Sequence, residues 1–127
     1  MGARLHAIEA GPSSGTPVVL LHGFGGYAVS WAPVIEAMPK DVRIIAFDLP
    51  GHAGSLNYPG FGSPRTAALA VLAELKLRSI DKAHVAGHSM GGAAAVLMAL
   101  DDPGAIASLT LVAPGGFGPE MDGQALR

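Results

Sequence analysis

Residues 83–95 read AHVAGHSMGGAAA. AHVA suits a short strand, and the small apolar run from Met90 to about Leu100 suits a helix. Between them lies Gly87-His88-Ser89-Met90-Gly91, a G-x-S-x-G pattern in the strand-to-helix context where such a pattern carries meaning. A turn this sharp forces its serine into a strained backbone conformation and lifts the hydroxyl clear of the sheet. Side chains at the flanking positions would strike the neighbouring strand and helix, so Gly87 and Gly91 occupy them. The first turn of the following helix directs free N–H groups towards the hydroxyl, where negative charge would develop. Ser89 is therefore the candidate nucleophile.

The second informative stretch lies upstream. Residues 17–21, PVVLL, form a continuous apolar run expected to be a strand buried on both faces, and it breaks into His22-Gly23-Phe24-Gly25-Gly26. A serine nucleophile attacking a carbonyl needs two backbone donors for the oxyanion. One comes from the residue after the nucleophile, here Met90, and the other from the loop after an earlier strand. Phe24 N–H is the expected second donor, with His22, Gly23 and Gly25 supporting the loop.

Short aliphatic runs alternate with helical stretches through the rest of the chain, the pattern of a mostly parallel sheet with helices on both faces. Residues 4–9 alternate and are expected to form an edge strand. Ser30 is expected to cap a helix running to about Met38, with Pro33 in its first turn. Residues 42–47, VRIIAF, give the next strand, followed by the loop DLPGHAGS. Ser63 and Pro64 read as the cap and first residue of a helix reaching about Leu77. Residues 107–112 give a last strand before a Pro/Gly-rich segment.

The 127 residues suit a single domain, half apolar and only 14% charged. The net charge is −2 and the cations are scattered, so no basic stripe exists for nucleic acid or an anionic membrane. The absence of cysteine excludes disulfides, thiolate catalysis and Cys-based zinc sites. The first residues lack a signal-like apolar stretch, and the longest apolar run, residues 93–100, is too short to cross a bilayer. A cytoplasmic protein is the expectation.

LLHGFGG, FDLPGHAGS and VAGHSMGG occur in the order and at the separations of the α/β-hydrolase superfamily, which the chain resembles over essentially its whole length. LTLVAPGGFGPEMDG is similar to the corresponding segment of the hydrolase-like domain attached to acetoin dehydrogenase acyltransferase components, and of its free-standing relatives. The resemblance implies a serine hydrolase acting on small-molecule esters or related acyl substrates, with no metal and no organic cofactor. Ser89 argues against the family's dehalogenases and epoxide hydrolases, whose nucleophile is aspartate. Phe117 is expected to join Phe24 and Met90 in lining the substrate site.

Two departures qualify that expectation. The family's triad runs Ser, then Asp or Glu, then His, whereas His6, His22, His52, His84 and His88 all precede Ser89. The family's last strands, cap, catalytic acid and histidine are thus expected beyond Arg127, making this chain a truncated α/β-hydrolase fold. Glu120 and Asp122 lie where some relatives place the acid. The alternative is a non-catalytic fragment or a ligand-binding pseudoenzyme. The second departure is Ala53, where the family usually has glycine. Finally, the strand at 107–112 would be an apolar sheet edge, through which self-association is expected.

Overall fold

The computed structural model describes residues 3–113. Five strands form one sheet in the order β1-β3-β2-β4-β5, with β1 Ala7–Ala10, β2 Val18–Leu21, β3 Ile44–Phe47, β4 Ala83–His88 and β5 Ile106–Val112. β1 runs antiparallel to β3, and the other pairings are parallel. The helices are α1 Ala32–Ala37, α2 Pro64–Leu77 and α3 Met90–Asp101. None of the described helices is long and apolar enough to cross a membrane.

Alternation along the strands sorts the core into two layers. Val19, Leu21, Ile45, Phe47, Ala83 and Val85 pack against α2 and α3. Leu20, Ile44 and Ala46 face the other way, against Ala28, Trp31, Ile35 and Met38. The expected double-sided sheet is therefore present. From β2 the chain moves outward to β3, then returns across β2 to β4 and on to β5. The loops after β2 and β4 thus lie side by side at the point where the strand order reverses, the usual place for a site in an open α/β sheet.

Several boundaries differ from expectation. The Ser63 hydroxyl does accept from Thr66 N–H at 3.1 Å, capping α2 ahead of Pro64. Ser30 is not a cap: it lies inside a 3-10 turn, Ala28–Trp31, and α1 starts one residue after Trp31. Its hydroxyl instead reaches back to accept from Tyr27 N–H at 3.3 Å, the third-position role in a capping box. β1 is displaced towards residue 10 because Arg4 and Leu5 bind elsewhere. Arg4 Nε donates to Glu74 Oε2 at 2.7 Å, and Leu5 N–H donates to the same oxygen at 3.4 Å. Arg78 Nε donates to the other oxygen at 3.2 Å. Burial would raise the Glu74 carboxyl, but the bonds from Arg4, Arg78 and Leu5 outweigh it and hold the group below the usual 4.5.

Three polar side chains fasten the loops at the C-terminal end of the sheet. Asp48, buried directly after β3, accepts from Ala28 N–H at 2.7 Å and from Gly54 N–H at 3.0 Å, and its Oδ2 lies 2.8 Å from His6 Nδ1. His22 Nε2 accepts from Leu49 N–H at 2.9 Å, so the neutral ring carries its proton on Nδ1 and donates to Gly23 O at 2.7 Å. His52 works the same way, accepting from Gly25 N–H at 3.0 Å and donating to Pro50 O at 3.0 Å. The two imidazoles cross-link the loop after β2 to the loop after β3.

That brace requires neutral His22. Burial is the main cause that holds its imidazole below the usual 6.5. His52 adds to the effect, while the Gly23 carbonyl bond and the Asp48 carboxylate oppose it. Just below pH 6.5 the unfolded chain binds a proton that the folded chain refuses. This part of the stability is complete above 6.5 and is lost as the pH falls towards the lower folded-state value. Denaturant unfolding across that window should show the loss in the wild type. His22→Gln, which keeps an acceptor but does not titrate, should flatten it; equal pH slopes would refute the assignment. Ala53, in the loop that Asp48 fastens, has φ +42°, a conformation unfavourable for any residue with a Cβ. Ala53→Gly should stabilise the fold by about 0.5–1 kcal/mol, after allowing for the greater freedom of unfolded glycine. An unchanged denaturation midpoint would contradict this.

Candidate active site

The backbone reverses at Ser89 as the motif requires. Ser89 has φ +53° and ψ −115°, a conformation non-glycine residues rarely hold, at a cost of order 1–3 kcal/mol. It is held from both sides: its N–H donates to Val112 O on β5 at 3.1 Å, and its carbonyl accepts from Ala93 N–H in α3 at 3.1 Å. The half-buried side chain does not cap the helix it precedes, so the hydroxyl is left for other work.

Close backbone packing makes this reversal possible. A Cβ on Gly87 would strike the Gly91 carbonyl, and a Cβ on Gly91 would strike the carbonyls of Leu21 and His22. α3 therefore sits directly on the end of β2, with Met90 as its first residue, buried, its N–H without a partner inside the helix. On the other side, a Cβ on Gly23 would lie 2.9 Å from His88 Nδ1 and 3.3 Å from Ser89 Cβ. The loop after β2 is thus in contact with the serine.

Within that loop the amides are already divided. Gly25 N–H goes to His52 and Gly26 N–H to Gly23 O at 2.9 Å, whereas Phe24 N–H has no hydrogen-bond partner among the described residues. The Phe24 ring is 62% exposed, edge-on to His52 and to Phe61 at centroid distances of 5.9 and 5.0 Å. Beside the loop opens a mainly apolar pocket of about 370 Å³, lined by His22, Gly23, Phe24, Trp31, Val34 and His88 among others. Trp31 Nε1 is buried without a partner among the described residues.

The structure therefore gathers Ser89, Met90, Gly87, Gly91, His22, Gly23, Phe24 and Gly25 at one end of the sheet. Phe117, Glu120 and Asp122 lie outside the described residues. No described histidine bonds to Ser89. His6, His22 and His52 are committed to the loops, His84 Nδ1 lies 2.7 Å from Ser108 Oγ, and His88 packs on Gly23. Sequence reasoning missed Asp48, whose signal was a carboxylate placed at the end of a fully apolar run. It also missed Trp31. Among the described residues no three His, Asp or Glu side chains are arranged to hold a metal ion.

Comparison with known proteins agrees with this geometry. The sequence model of the alpha/beta hydrolase fold matches residues 16–126. The dihydrolipoyllysine-residue acetyltransferase component of the acetoin cleaving system of Pseudomonas putida is 43% identical over 126 residues, 99% of this chain and 34% of that protein. The putative carbamate hydrolase RutD of Azorhizobium caulinodans is 36% identical over 99 residues, 78% of this chain and 37% of that protein. The solved 2-hydroxy-6-oxo-6-phenylhexa-2,4-dienoate hydrolase of Rhodococcus sp. strain RHA1 matches with a TM-score of 0.79 at 26% identity, over 92% of this chain and 44% of that one. This chain thus spans well under two thirds of each of these proteins. Fold, strand-to-helix turn and sequence agree: the chain belongs to the α/β-hydrolase family.

Proposed function

We propose that the chain carries the nucleophile half of a serine hydrolase for esters or related acyl substrates. The observation that supports this most is the backbone at Ser89. A strained, non-glycine residue between two packed glycines has no structural advantage over glycine, unless its side chain is needed where the strain presents it. In the proposed reaction Ser89 Oγ attacks the substrate carbonyl. Phe24 N–H and Met90 N–H, both without partners among the described residues, hold the oxyanion, and the Phe24–Trp31–Val34 pocket takes an apolar part of the substrate.

The proton acceptor is the missing part. No histidine follows Ser89, and none of the described histidines that precede it bonds to it: His6, His22, His52 and His84 have other partners, and His88 lies against Gly23. The base and the acid that orients it are therefore proposed to come from outside residues 1–127. That same observation favours a second reading, in which the 127 residues alone bind an acyl ligand without turning it over.

A serine-directed fluorophosphonate and a chromogenic ester test both readings on the 127-residue chain. Labelling should be slow, confined to Ser89 and abolished by Ser89→Ala. Ester turnover should not exceed the residual ~10³–10⁴-fold over the uncatalysed reaction that an oxyanion site gives without its triad. Labelling that survives Ser89→Ala would eliminate the nucleophile assignment, and rapid turnover would show that a base is present after all.

A further inference from the structure

A second cavity opens at the end of the sheet opposite Ser89. Its volume is about 620 Å³, a size usual for small-molecule sites. Three segments wall it: residues 13–16 ahead of β2, Arg43 ahead of β3, and residues 78–82 between α2 and β4. The strands they lead into, β2, β3 and β4, are neighbours in the sheet. Among the described residues, none from β5 onward lines the cavity.

Arg43 is held across this cavity. Its Nη1 donates to Gly15 O on the opposite wall at 3.0 Å, and its Nε is buried without a partner among the described residues. No carboxylate pairs with Arg43 or Lys82 among the described residues. Arg78 is committed to Glu74 and Glu9, and Asp81, exposed, is the opposing charge in the lining. The hydroxyls of Ser13, Ser14, Thr16 and Ser79 line the same space. Ser79 is informative in its own right. It follows α2 with φ +57°, and the next amide, Ile80 N–H, returns to Leu75 O at 2.8 Å. Glycine takes this helix-ending position most readily. A serine there accepts strain and sets a hydroxyl in the cavity that holds two unpaired cations.

We propose that this cavity binds a phosphate group, either carried by a small phosphate monoester or present as the free ion. A phosphate dianion presents acceptor oxygens in several directions. The lining offers a guanidinium whose plane is already fixed, an ammonium group and hydroxyls on two walls. A carboxylate would use the guanidinium and leave most of the hydroxyls without a partner. Among the described residues no aromatic ring lines the cavity, so nothing there stacks on a nucleobase, and a polyol phosphate suits it better than a nucleotide. The site is separate from Ser89 and does not depend on the reaction proposed there.

Calorimetric titration of the 127-residue chain with inorganic phosphate and with glycerol 3-phosphate tests this. At least one should bind, more weakly as salt is raised. Tighter binding of glycerol 3-phosphate would assign the phosphate to an organic ester; equal or tighter binding of inorganic phosphate would assign it to the free ion. Arg43→Gln should weaken binding about tenfold or more, the loss of one charge-assisted contact. Arg65→Gln, at the far end of α2, should leave it unchanged. Ser79→Gly separates binding from folding: relief of the positive φ should raise the Tm while the affinity falls. Amide shifts on adding phosphate should centre on residues 13–16 and 78–82. Binding of neither compound up to ~10 mM would overturn the proposal. So would binding that Arg43→Gln and Ser79→Gly leave intact, or amide shifts centred elsewhere.

Discussion

α3 lies on the end of β2 with backbone against backbone, and the site is built around that contact. The carbonyls of Leu21 and His22 occupy the space where a side chain at Gly91 would be, and the Gly91 carbonyl occupies the space above Gly87. This approach keeps the turn between β4 and α3 to a single residue. It forces Ser89 to φ +53° and brings the first amides of α3 next to the loop leaving β2. A longer turn would relax the serine but would also lift the start of α3 off the end of β2. Strain at the serine and its contact with the loop after β2 are consequences of the same close packing.

Irregular segments need other fasteners, since they lack ladders of their own. Here the fasteners are a carboxylate and two neutral imidazoles. Asp48 gathers an amide from the turn before α1, an amide from the loop after β3 and the ring of His6, just ahead of β1. His22 and His52 each use one nitrogen as acceptor and the other as donor, an arrangement open only to an uncharged ring. A lysine or arginine has no acceptor to offer. The His22 and His52 rings stand 4.8 Å apart, and Phe61 stacks on His52 at 4.8 Å, so the polar brace is also packed.

Features coded by local chemistry were legible in the sequence. The G-x-S-x-G turn, the Ser63-Pro64 start of α2 and the buried run ending at Leu21 each carry their own physical signature, and each is present. Segment LTLVAPGGFGPEMDG suggested an acetoin-system likeness, and a relative of that description matches at 43% identity. What stayed hidden depends on distant partners. Ser30 resembles a helix cap because a serine hydroxyl serves equally at the cap or three residues inside it; only the position of Tyr27 decides. Residues 4–6 alternate like a strand, yet Arg4 and Leu5 bind Glu74, seventy and sixty-nine residues away. Asp48 reads as an ordinary loop carboxylate until residues 6, 28 and 54 are placed around it. His52 reads as a loop histidine until Gly25 of the neighbouring loop is placed against its Nε2.

The Glu74 carboxylate has a bearing on how the chain can be handled. It is almost wholly inside the protein, and two of its three bonding partners belong to the first five residues. Residues 4 and 5 are thus clasped to the last turn of α2. Trimming by an exopeptidase past Arg4 opens this clasp, stranding a negative charge in the interior with Arg78 as its remaining cation. Resistance to such trimming would report the integrity of the whole helical layer.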